Sequence, residues 1–306
     1  MSTTKGAADP MSPSATAGLQ ATPASRAGRR EQAWSKAVSL ILLLLATAAM
    51  LSPLAFMVST SLKTSKELLV YPPQLFPKAP AWGNYAELFR NGEIKFGQQY
   101  ANSLIVAVSA VVGTVLSSAL VAFGFARYRT KASGLLFLLV LSTMMLPYPA
   151  IMIPQFLLFT KLGLHDSLLP LILPNFFGSA YMIFLLKQFF STMPSELYEA
   201  GRIDGCGEFR LFWNLTLPLA GPAMATVAIF TFIGSWNDLL TPVLYLDSQE
   251  NFTLPIGLAS MMSSKFRLAP WNLLMAASML TAVPIILLFA VAQRRFVEGI
   301  VLTGIK

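Results

Sequence analysis

Residues 96–131 read FGQQYANSLIVAVSAVVGTVLSSALVAFGFARYRTK. From Phe96 to Ala126 there is no Asp, Glu, Lys or Arg, and then Arg127, Arg129 and Lys131 follow within five positions. A helix crosses about 30 Å of hydrocarbon with about 20 residues, at 1.5 Å per residue. The quoted run exceeds that length. In lipid its backbone groups must be satisfied within the segment, so it forms a helix. Five further windows lack acidic and basic residues: 37–62, 132–160, 167–186, 211–237 and 268–293. The chain is 55% hydrophobic and 12% charged, with a mean hydropathy of +0.62, outside the range of soluble domains. These windows predict an all-α polytopic membrane protein with six transmembrane helices, at 37–59, 102–126, 133–153, 168–188, 222–245 and 271–293.

Lys and Arg set the orientation. With the N terminus in the cytoplasm, 14 of the 22 basic residues fall on the inner side and 8 on the outer, five of them in the long loop 60–100. The short loops separate more cleanly, since RYRTK carries three basic residues and KLGLHDS one. Both termini are therefore expected in the cytoplasm, in a multi-pass protein of the plasma (inner) membrane. Residues 1–33, rich in Ala, Ser, Thr, Gly and Pro, are expected to be a disordered tail. Residues 34–306 form the transmembrane domain. In the outer loop, YPPQLFPKAP predicts extended chain and WGNYAELFRNG a short amphipathic helix along the membrane surface. The net charge of +8 matches a membrane protein near anionic lipid and requires no nucleic acid.

The second decisive stretch is ELYEAGRIDGCGEFRLFWNLTLPLAGP, residues 196–222, within a loop 190–221 between the fourth and fifth spans. It concentrates Glu196, Glu199, Arg202, Asp204, Glu208 and Arg210 in a chain with few charges. Pro194 and Ser195 suit a helix start, with Glu196 at its positive end. Glu199 and Arg202 are spaced to pair on one face. Gly205 suits the left-handed residue that stops the helix, GEFRLFWNL offers a second helix, and Pro218 and Pro222 turn the chain back. Ala200 and Gly201 leave a patch open to close approach. A solvated loop has no need of Leu197, Phe209 and Phe212, whereas a docking surface does.

The spacing of this loop resembles the signature E-A-A-x3-G-x9-I-x-L-P of permease subunits in binding-protein-dependent ABC importers. Here it reads Glu199-Ala200-Gly201, three residues, Gly205, nine residues, then Leu215-Thr216-Leu217-Pro218. Gly201 replaces the second Ala and Leu215 the Ile. EAGRIDG followed by LPLAGP is similar to the carbohydrate branch, the maltose, glycerol-phosphate and oligosaccharide type. The likeness covers about residues 36–306 and includes FIGSWNDLL and QRRFVEGIVLTGIK. It implies a type I importer permease fold and a loop acting as the coupling helix of a non-catalytic subunit. It also implies the partners: a second permease subunit, two copies of an ATP-binding subunit and an extracytoplasmic solute-binding protein. The setting would be a bacterial or archaeal membrane. Glu199, Ala200, Gly201, Asp204, Gly205, Leu217 and Pro218 would form the ATPase-coupling surface. The chain has no G-x-x-x-x-G-K-[ST] phosphate loop, nor even the dipeptide Gly-Lys. ATP and Mg are thus expected on the partner ATPase, with no cofactor on this chain.

Within the fifth span, Trp236, Asn237 and Asp238 form a candidate substrate path. The indole offers a flat apolar face to a sugar ring and the amide meets hydroxyls. A charge in a span costs about 2.5–3.5 kcal/mol on insertion scales, so Asp238 calls for a partner or a wet cavity. The second reading of Asn237 and Asp238 is that they cap a helix broken before Pro242. Asn102, Asn175 and Tyr181 are weaker lining candidates. His165 is expected to be solvated, and LPYPAIMIPQF to bend the chain. RRFVEGIVLTGIK is expected to act as an anionic-lipid anchor, whereas the resemblance implies that it reaches the ATPase interface. The alternative function is an ion-coupled secondary transporter, which normally carries several ionisable groups at mid-membrane where this chain has Asp238.

Overall fold

The computed structural model describes residues 26–128, 130–262 and 270–303, with side chains between Trp34 and Ala292 within those ranges. The chain divides into two compact units, 1–54 and 55–306. Helix α1 (Arg26–Ser61) begins in the first. It takes in residues 26–33, which composition assigns to the tail, because Ala, Arg, Glu and Gln there favour helix. The rest of the expected tail, residues 1–25, lies outside the described residues. Leu42, Leu43, Leu44 and Leu45 are all exposed, which suits a helix facing lipid.

The second unit continues with α2 (Ser65–Leu68), α3 (Gly83–Arg90), α4 (Phe96–Arg127), α5 (Ser133–Ser142), α6 (Tyr148–Lys161), α7 (Leu169–Ile172) and α8 (Ala180–Ser191). After these come α9 (Ser195–Ile203), α10 (Glu208–Arg210), α11 (Leu217–Leu219), α12 (Gly221–Trp236), α13 (Leu240–Tyr245), α14 (Leu254–Met261) and α15 (Trp271–Thr303). No strand occurs among the described residues.

Four helical stretches are long and apolar enough to cross a membrane: 34–61, 96–127, 169–191 and 271–292. The number rises to six if each of two bent pairs counts as one span. The expected third span is not straight. Residues 133–145 and 148–161 meet at 96°, because Pro147 holds the extended conformation between them. The expected fifth span breaks after 16 residues, at Trp236, and resumes as α13.

Helix α4 is the organiser. It packs against α8, α12 and the 3-10 turn Leu173–Phe177. It is apolar almost all round, so hydrophobicity alone cannot choose its buried side. The buried side carries Ala107, Ala110, Gly113, Ser118, Ala119 and Ala122, small residues that let neighbouring backbones come close.

Helix α3 is amphipathic as expected, and it docks instead of lying free. Leu88 is fully buried. Asn84 donates to the carbonyls of Ser61 (2.7 Å) and Lys63 (2.9 Å) and accepts from Asn272 of α15 (3.1 Å). The turn at Asp166 also folds inward. Its carboxylate accepts from the backbone of Asp247 (3.0 Å) and Ser248 (2.9 Å) and from the Ser248 hydroxyl. Those Ser248 and Asp247 bonds hold Asp166 far below the ordinary carboxylate range. His165 is likewise not simply solvated. Its Nδ1 lies 3.7 Å from Asp247 and its ring meets Phe156 edge-on.

Candidate functional site

The loop 190–221 forms the helix–turn–helix that its sequence suggests. Helix α9 starts after Pro194, with Glu196 in its first turn and Arg202 in its last, both complementing the helix dipole. It stops at Gly205, whose φ is +79°. Gly205 N donates to Arg202 O (3.0 Å) and Cys206 N to Gly201 O (2.9 Å), the two bonds of a Schellman stop. The chain then enters α10, a π-helical turn at Leu211–Thr216, and α11. An 80° bend leads into α12.

Tyr198 is the buried residue of α9, and it binds the helix to the rest of the unit. Its hydroxyl donates to Met193 Sδ (3.1 Å) and shares a hydrogen bond with Thr216 (3.1 Å). Arg127, at the end of α4, lies over the Tyr198 ring at 3.4 Å. The same guanidinium donates to the carbonyls of Phe190 (2.9 Å) and Met193 (3.5 Å). Phe123 of α4 packs on both Tyr198 and Phe212. One cation and an aromatic cluster therefore join α4, the end of α8, and α9. In the sequence Arg127 is a topology signal, and its place directly after the apolar run ending at Ala126 is the clue to this anchoring role.

Several expectations for this loop are corrected. Arg202 pairs with Glu208 (2.9 Å), not Glu199, because the Gly205 turn folds Glu208 back towards α9. Glu199 is thereby left exposed, with no hydrogen bond or ion pair among the described residues. Ala200, Asp204, Gly205 and Pro218 are exposed as well, and Leu217 is half-buried. Gly201 does not open towards a partner. A Cβ there would lie 2.5 Å from Leu211 Cδ2, so its missing side chain serves packing inside the loop. Phe212 is buried, whereas Leu197, Ile203, Phe209 and Trp213 are exposed, Ile203 at 86%. Phe209 and Trp213 stack on one another.

The span-five triplet separates into three roles. Trp236 is 1% exposed, stacked on Phe232 and edge-on to Tyr100, and its indole N–H donates to Thr281 O (3.0 Å). It bolts α12 to α15, and its ring is not free to meet a sugar. Asn237 is exposed and donates to Ile233 O (2.8 Å) at the end of α12. Asp238 accepts from Thr241 N (3.2 Å), capping α13, and also lines a cavity of about 400 Å3. Tyr148, Gln155, Asn175, Ser235 and Thr241 line it too. Asn102 faces away from this role, donating to Glu250 O (2.7 Å) and Phe252 O (3.0 Å). Tyr181 is exposed. The side chains of QRRFVEGIVLTGIK beyond Ala292 lie outside the described residues.

Residues 114–301 match the family model described as "Binding-protein-dependent transport system inner membrane component". The chain is 36% identical over 258 residues to the arabinooligosaccharides transport system permease protein AraQ of Bacillus subtilis (strain 168), covering 84% of this chain and 90% of that protein. It is 36% identical over 267 residues to the sn-glycerol-3-phosphate transport system permease protein UgpE of Yersinia pestis bv. Antiqua (strain Antiqua), covering 85% and 94%. Its fold is similar to that of a chain in the crystal structure of a bacterial ABC transporter involved in the import of the acidic polysaccharide alginate. There the TM-score is 0.77 at 23% identity, covering 87% of this chain and 97% of that one. The chain belongs to the family of inner-membrane components of binding-protein-dependent transport systems, the permeases of ABC importers.

Proposed function

We propose that this chain is one of two permease subunits of an ATP-driven importer for a sugar or sugar derivative, and that loop 190–221 docks on an ATPase subunit. In this reading residues 133–161 and α12 with α13 complete six spans, both termini face the cytoplasm, and the protein sits in a bacterial or archaeal plasma membrane. ATP and Mg reside on two copies of the ATPase, and an extracytoplasmic binding protein delivers the solute. The curated relatives support the sugar class, although the solutes they are named for differ in charge.

The observation that carries the reading is the division of labour in α9. Its inner side is fastened to α4 through Tyr198 and Arg127, while Glu199, Ala200 and Asp204 stay exposed beside the large apolar residues Leu197 and Ile203. Exposed apolar side chains rimmed by charge mark a protein interface. Movement of a docked ATPase would then pass through α9 into α4 as a rigid-body shift that alternates access to the cavity beside Asp238.

The test is Glu199→Ala and Gly205→Pro in the assembled transporter. Gly205→Pro removes a backbone donor and cannot adopt φ +79°. It should abolish copurification of the ATPase and uptake, while membrane insertion persists. Glu199→Ala should lower uptake several-fold. Wild-type uptake and ATPase copurification in both variants would refute the docking role.

A further inference from the structure

We propose that the cavity beside Asp238 receives a neutral, hydroxyl-rich solute and disfavours anionic sugars such as uronates and phosphate esters. The inference rests on the sugar-importer reading and concerns the charge class of its cargo.

The cavity, about 400 Å3, is of a size that suits a small ligand. Asp238 is the one charged side chain among its described lining residues, and no Lys, Arg or His lines it. Recognition of carboxylate or phosphate normally draws on cationic donors. Here an incoming anion meets a carboxylate of like charge with no cation beside it in the cavity wall. The cations at either end of α4 are already engaged, Lys95 with Glu250 and Arg127 with the carbonyls of Phe190 and Met193.

The polar groups that remain match hydroxyls. One oxygen of Asp238 serves the α13 cap, and Oδ2 has no hydrogen-bond partner among the described residues. The Gln155 amide is also unpartnered there and supplies both donors and an acceptor. Two wall hydroxyls, those of Thr231 and Thr253, are more than nine-tenths buried without a hydrogen-bond partner. Buried polar atoms in this state call for an ordered water or a ligand. Tyr148 and Thr241 share a hydrogen bond (2.9 Å) across the cavity between α6 and α13. Pro170, Pro174 and Met182 supply apolar wall, which suits the C–H face of a sugar ring. A carboxylate acceptor, an amide, hydroxyls and an apolar wall together favour a donor-rich neutral ligand over an anion.

The test uses the assembled transporter in nanodiscs without its binding protein, so that delivery does not filter the probes. The probes are a neutral pentose trisaccharide and a uronate trisaccharide, followed by saturation-transfer NMR. Wild type should bind the neutral probe at least about tenfold better than the uronate. Asp238→Asn retains an acceptor for Thr241 N, and should narrow that ratio; Asp238→Lys should reverse it. A role limited to capping α13 would leave the ratio unmoved in Asp238→Asn. An unmoved ratio, equal binding of both probes to wild type, or binding of neither would overturn the proposal. ATPase copurification and its loss in Gly205→Pro report on the importer reading separately, so the cavity assignment can fail while the docking assignment stands.

Discussion

At its first turns α4 holds residues 246–253 by polar contacts, and at its last turn it holds loop 190–221 by a cation on an aromatic ring. Asn102 donates to two carbonyls of the first segment, and Lys95 pairs with Glu250. Arg127 lies over Tyr198 and caps the carbonyls of Phe190 and Met193. The two ends of this helix, 32 residues long, are about 48 Å apart. Their apolar residues also behave differently. Leu246 is buried and Phe252 packs on the core, whereas Leu197, Ile203, Phe209 and Trp213 remain outside. The first segment spends its side chains on its own anchorage. The second is anchored from within through Tyr198, Leu211 and Phe212 and still keeps a face for something else.

Arg127→Ala should break this contrast most strongly. It removes a charged hydrogen bond and a cation–π contact, together about 2–4 kcal/mol, and frees α9 from α4. Amide exchange should accelerate over residues 193–203 but not over 246–253, and transport per ATP hydrolysed should fall. Arg127→Lys should recover part of both, since the charge over the ring returns while the planar fork does not. Unchanged exchange in Arg127→Ala would remove the mechanical link.

Asp166→Ala should act at the other end and more weakly. It frees the amides of Asp247 and Ser248, and exchange should rise there alone. The pH dependence has a definite sign. A carboxyl held below its ordinary value of 3.8 contributes stability that is full above that pH and lost as pH falls below it. Exchange at 247–248, corrected for the intrinsic rate, should therefore rise below about pH 4 in wild type and be flat in the variant. A flat wild-type profile would mean that the carboxylate does not hold the segment.

The smallest effect is expected from Gly201→Ala. Alanine gains about 1 kcal/mol of helix propensity, but its Cβ would displace the buried Leu211 side chain, an overpacking cost of about 1–3 kcal/mol. The net change should be a loss of at most about 2 kcal/mol in loop stability, read by thermal shift of the assembled complex. Restoration by Gly201→Ala with Leu211→Val would sharpen the assignment, since the double variant vacates the space.

Charge-free windows were sufficient to read the helical class and the approximate position of each apolar stretch, because lipid imposes a length and a backbone rule on every span. The loop's stop at Gly205 was equally legible, since few residues other than Gly adopt φ +79° cheaply. The partners of particular side chains were not legible. Glu199 and Arg202 have the spacing of a pair, yet a turn brings Glu208 closer. Trp236 looks suited to a sugar until Thr281 and Tyr100 claim it. Pro147 signals a bend, and the angle depends on how the flanking helices pack.

By itself the sequence determined a membrane-spanning helical permease and the place of its charged loop. Both follow from local properties: apolar length, basic flanks, and glycine and proline at the turns. Tertiary structure alone decided which residues face inward. In helices that are apolar all round, burial is chosen by shape and by a few polar partners contributed from distant positions. Arg127 became an anchor because α9 returns to α4, and Asp238 became a cavity residue because α12 breaks beside α6 and α7.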